Sequence, residues 1–99
     1  MAELRWAAEA LDWLKDIHGY IANDNPSAAA KVIDGIVAKA ELLIDHPDIG
    51  TRLRTVPEGD VRMLHYGHYR IAYLHRRSDA VVEVLGVFHG ALDIDRYIP

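Results

Sequence analysis

Apolar residues recur at two different periods along this chain, and the change from one to the other limits the fold more than any other feature. From Ala7 to about Asn23, Leu11, Leu14, Ile17, His18 and Ile21 fall at the spacing of one helix face, with Trp13 and Tyr20 widening it. From Val61 onward the period is two: Val61–Tyr66, Tyr69–Arg77 and Ala80–Phe88 are rich in β-branched and aromatic residues. A chain written this way must bring a helical layer against a sheet.

The punctuation between these runs fixes the connections. Asn25 is suited to cap a helix and Pro26 to open one, because proline's missing N–H is not needed in a first turn. A second helix is expected from Pro26 to about Asp45, carrying Ala29, Ile33, Ile36, Ala40 and Leu43 on one face. Gly35 is a mild internal weakness, about 1 kcal/mol relative to alanine. Pro47 closes the helical region. The interhelical link is short, so the helices form an antiparallel hairpin.

A loop follows from Pro47 to Asp60, with room for a short strand at Arg52–Val56. Gly67-His68 and Ser78-Asp79 are short enough to join neighbouring strands as hairpins. In the middle strand, Tyr69, Ile71, Tyr73 and His75 share one face, and Arg70, Ala72, Leu74 and Arg76 the other. Residues 3–6 alternate polar and apolar and read as a short first strand. The expected architecture is α+β, a helix hairpin packed on one face of a three- to four-stranded antiparallel sheet. All of it lies in a single domain spanning 1–99.

Charge is divided between the two halves. Residues 1–50 hold four basic and nine acidic side chains, net −5, whereas 52–77 hold six arginines against Glu58 and Asp60, net +4. No lysine follows Lys39. Arginine's planar fork favours bidentate contacts with carboxylates or phosphates, although arginines on a solvated strand also protect a sheet edge. With no cysteine in its 99 residues, the chain has neither disulfides nor thiolate metal sites. His65, His68 and His75 share no recognisable ligand spacing with a carboxylate, so no metal is expected, and no cofactor motif is present. The acidic N-terminal stretch lacks the features of a signal peptide, and no apolar run approaches about 20 residues. A soluble cytoplasmic protein with no membrane partner is expected.

The order of short strand, helix hairpin, His46-Pro47-Asp48-Ile49-Gly50 and three strands resembles the ParE/RelE superfamily of type II toxin–antitoxin toxins. The resemblance is carried by Asn25-Pro26-Ser27-Ala28-Ala29, Arg62 after Gly59, Tyr69-Arg70-Ile71-Ala72-Tyr73 and Val87-Phe88-His89-Gly90. A ParE-like ending, V-x-H-x-A-x-D, is matched by Val87, His89, Ala91 and Asp93. Thr51 departs from the family, many of whose members have glycine before the arginine.

The resemblance implies a small toxin neutralised by a cognate antitoxin that wraps it with a helix and a strand. It leaves two activities open. ParE-like members inhibit DNA gyrase and are not enzymes; RelE-like members are endoribonucleases that cut mRNA on the ribosome. Under the ribonuclease reading, Arg62 would hold the scissile phosphate and Arg70 and His89 would act at the reacting centre. The plainer roles are ion pairing of Arg62 and Arg70 with Glu58, Asp60, Glu83 or Asp93, and a backbone hydrogen bond for His89.

Gly90 stands where some ribonuclease relatives have an aromatic residue, and their lysine pair is missing. A net charge of −4 also suits RNA poorly. The gyrase-inhibiting reading is therefore favoured over the ribonuclease, and over an inactive relative that only binds antitoxin. Leu11, Trp13, Leu14, Ile33, Arg52 and Arg70 are the expected partner contacts. The apolar helix faces are broader than the core requires, which suits an antitoxin helix or a second copy in a homodimer.

Overall fold

The computed structural model describes residues 1–90. Its elements, in order, are β1 (Glu3–Trp6), α1 (Ala8–Ala22), α2 (Pro26–Glu41), a single 3₁₀ turn (Leu42–Ile44), β2 (Thr51–Val56), β3 (Gly59–Tyr66), β4 (Tyr69–Arg76), a second 3₁₀ turn (Arg77–Asp79) and β5 (Val81–His89). The interhelical link is built as the sequence implies. The Asn25 side chain accepts a hydrogen bond from the Ala28 N–H at 3.0 Å, and Pro26 occupies the first turn of α2. The α-helix stops at Glu41, short of the expected Asp45, and tightens into the 3₁₀ turn before Pro47.

The architecture is α+β as expected, and the sheet is larger than expected. It has five strands in the order β1-β5-β4-β3-β2. β2 to β5 form an antiparallel meander, while β1 pairs parallel to β5, from Glu3 opposite Val81 to Trp6 opposite Val84. This pairing joins the two ends of the described chain, which local periodicity does not register. β1 stops at Trp6, opposite Val84, so beyond that point β5 has no strand on its outer edge among the described residues. There α1 takes over, starting where the Ala7 N–H donates to the Val84 carbonyl at 2.9 Å.

Both helices pack on the face carrying Leu64, Ile71, Tyr73, Val82, Val84 and Val87, to which they contribute Ala10, Ile36 and Ala40. Contact is closest at Gly35, where an added Cβ would overlap the Tyr66 hydroxyl. This residue is the point at which α2 rests on β3. The opposite face buries a second cluster, Val61, Ala72, Leu74 and Phe88. Trp13 joins the two clusters, meeting Phe88 edge-on with ring centroids 4.9 Å apart.

Candidate functional site

Strand pleating decides where each candidate side chain goes. Arg62 lies opposite Tyr73, and Asp60 opposite His75, so all four project from the helix-side face. There they meet the loop that descends from Pro47. Arg62 Nη1 donates to the Gly50 carbonyl at 2.8 Å and the Asp48 carbonyl at 3.1 Å; Nη2 donates to Asp60 Oδ2 at 3.2 Å. The Tyr73 hydroxyl donates to the Pro47 carbonyl at 2.8 Å and accepts from the Gly50 N–H at 2.9 Å. His75 Nδ1 stands 2.7 Å from Asp48 Oδ1, within hydrogen-bond reach of that carboxylate. Arg77 closes the network on Asp60 at 2.6 Å.

The electrostatics follow from this enclosure. The Arg77 guanidinium foremost, and Arg62 with it, hold the Asp60 carboxyl below the ordinary carboxylate range, against the opposing pull of burial. Asp60 in turn raises Arg77. Burial pushes the Tyr73 phenol above its ordinary value. The cluster is a clamp on residues 47–50: both Nη groups of Arg62 donate to protein oxygens, while its buried Nε makes no hydrogen bond and lies 3.4 Å from Asp48 Oδ1 as an ion pair. Sequence reasoning identified Arg62 and placed Tyr73 and His75 on one strand face. It missed Asp48 and Arg77 as their partners, because those residues reach the cluster from loops.

Arg70 and His89 lie at the other end of β4. Arg70 pairs across the sheet with His65 and Phe88, which puts it on the face turned away from the helices. His89 lies opposite Tyr69, on the helix side, with the two rings edge-to-face at 5.9 Å and His68 stacked 6.4 Å away. Arg62 is registered four residues further along β4 than His89, roughly 13 Å at about 3.3 Å per residue. The three residues assigned to ribonuclease chemistry therefore sit on two faces and at two ends of the sheet.

The expected partner contacts are also divided. Leu11, Leu14 and Ile33 converge on an open groove of about 590 Å³ between the helices, rimmed by Asp12, Lys15 and His18. Trp13 belongs instead to a groove of about 540 Å³ between α1 and the end of the sheet, together with Ile17, Tyr20, Tyr69, Val87 and His89. Leu11 is 51% exposed and Tyr20 82%, large apolar surfaces for a domain of this size. Arg52 is exposed on the edge strand β2, and Arg70 lies on the far face of the sheet. Ala91 and Asp93 of the ParE-like ending lie outside the described residues. No described helix is long and apolar enough to cross a membrane.

Residues 4–94 match the family model described as the ParE toxin of the type II toxin–antitoxin system parDE. The chain belongs to the ParE toxin family. Its fold is shared with solved toxins of both branches. It is similar to a chain from the chromosomal ParDE system of P. aeruginosa, at 23% identity over 90% of this chain and 96% of that one, with a TM-score of 0.69. It is also similar to a chain of the RelBE2 toxin–antitoxin complex of Mycobacterium tuberculosis, at 21% identity over 89% and 96%, TM-score 0.67. Isolated E. coli RelE matches at 18% identity over 97% and 92%, TM-score 0.66. No curated protein sequence matches the chain. At these identities the structural likeness speaks to the fold, and the activity has to be argued from the residues.

Proposed function

We propose that this protein is a ParE-like toxin that acts by binding DNA gyrase, without catalysis of its own, and is held inactive by a cognate antitoxin. The observation that carries the reading is the commitment of Arg62. Its fork is occupied by the Asp48 and Gly50 carbonyls and by Asp60, so a scissile phosphate would have to displace the clamp on the 47–50 loop. Phosphodiester cleavage also needs its acid, base and phosphate ligand around one reacting atom. Arg70 and His89 project from opposite faces, which supports a binding role over that chemistry.

The two grooves flanking α1 support the antitoxin part of the proposal. An amphipathic helix and an extended segment each bury apolar side chains in such channels, and Leu11, Leu14 and Ile33 offer them on one side, Trp13 and Tyr20 on the other.

Supercoiling by purified gyrase, with and without the protein, is the direct test. Inhibition with accumulation of a gyrase–DNA cleavage complex is expected at stoichiometric protein. Absence of both at large excess would reject gyrase as the target. Primer extension on translated mRNA reads the alternative, in which His89→Ala would abolish new cuts.

A further inference from the structure

The outward face of the helix hairpin carries an apolar seam with both signs of charge beside it. Ala8, Leu11, Lys15 and His18 follow one another along α1 at helical spacing, and with Leu14 and Ile33 they line the open groove of about 590 Å³ between the helices. Leu11, Lys15 and His18 are exposed and belong to neither core cluster. Leu11 therefore stands as an apolar knob beside an apolar channel, a pairing that helix surfaces use to pack on one another.

The rim charges decide among occupants. Asp12 and Lys15 are exposed and enter none of the ion pairs formed among the described residues, unlike Arg62, Arg76 and Arg77. A surface with one free charge of each sign, a helical turn apart, complements itself. When two copies of α1 cross antiparallel about a two-fold axis near residues 13 and 14, Asp12 of each copy comes level with Lys15 of the other. The same crossing carries Leu11 of each copy toward Leu14 and His18 of the other. A wholly acidic or wholly basic segment would match only one of the two rim charges.

We propose that, in the absence of another partner, this groove is closed by a second copy of the chain, in a two-fold dimer held by Leu11, Leu14 and Ile33 and by reciprocal Asp12–Lys15 pairs. The regulatory consequence rests on the reading above, which gives this groove to the antitoxin. Dimer and antitoxin complex then exclude each other, and the free toxin covers its own docking site.

Sedimentation equilibrium of the purified protein alone tests the dimer, at about 0.15 M salt, where repulsion between the acidic helices is screened beyond about 8 Å. Between about 10 and 500 µM the average mass is expected to climb from the 11.1 kDa monomer toward twice that value. A monomer throughout would overturn the proposal. Asp12→Lys or Lys15→Asp alone sets like charges together at both symmetry-related contacts, and each should raise the dissociation constant about tenfold. The two changes together exchange the signs and should restore it to within about twofold. A dimer indifferent to the single reversals, or a double reversal no tighter than either, would place the contact elsewhere and overturn the proposal. No antitoxin enters these measurements, so the dimer can fail while the antitoxin reading stands, and the reverse.

Discussion

Tyr73 shows how one side chain couples the sheet to a loop. Its ring is buried in the helix-side core, while its hydroxyl bridges the Pro47 carbonyl and the Gly50 N–H. Tyr73→Phe keeps the ring and strands both backbone groups, one of them on buried Gly50. A loss of about 1–3 kcal/mol is expected from denaturant unfolding, the range for leaving a buried polar group unsatisfied. An unchanged midpoint would mean that water replaces the hydroxyl. The same residue contributes to stability at alkaline pH. Its phenol holds its proton more tightly folded than unfolded, so this contribution to stability is complete below about pH 10 and fades as the pH rises beyond it.

Among the elements, α2 is the one whose sequence reading changes most. By propensity, Gly35→Ala should stabilise the helix by about 1 kcal/mol. In the fold, the new methyl group would collide with the Tyr66 ring and hydroxyl, so α2 must lift off β3 or Tyr66 must leave its site. The expected outcome is a net loss of stability of about 1–3 kcal/mol, the usual consequence of overpacking. The double change with Tyr66→Ala should remove the clash and recover part of the loss. Equal denaturation midpoints for wild type and Gly35→Ala would show that the contact is soft. β1 is a related case: four residues are a weak strand signal alone, and their parallel ladder with β5 is what establishes them.

Over the whole molecule, the arginine-rich half is less cationic at its surface than its composition implies. Arg62 and Arg77 converge on Asp60 and Asp48, and Arg76 pairs with Glu83 at 3.4 Å. This pairing also makes Asp60 a contributor to the acid limb of stability. Folded Asp60 takes up its proton at a lower pH than the unfolded chain, where a carboxyl titrates near about 4. Its contribution is thus complete above about pH 5 and is lost as the pH falls through the lowered value. Asp60→Asn should lower the thermal midpoint at pH 7, since both arginines lose the charge of one carboxylate partner and keep only Asp48, and should shrink the further drop between pH 7 and pH 3. A drop as large as that of the wild type would assign the acid limb to other carboxylates. On the same scale, target choice is a property of the assembled surface, and the gyrase assay reads it directly.

The amino-acid order by itself determined the two helices, the Asn25-Pro26 link, the meander and the α+β class. Each of these depends on interactions between residues close in sequence, which periodicity and capping record. It also carried the family resemblance, because short motifs keep their order whatever the packing. Only the tertiary structure decided the parallel seat of β1 beside β5, the seat of Gly35 and the fate of the arginines. Those outcomes depend on which distant groups meet, and residues 48 and 77 reach Arg62 and Asp60 only after loop and sheet have closed together. The separation of Arg70 from His89 has the same origin: in a pleated sheet, a single step in register moves a side chain to the opposite face.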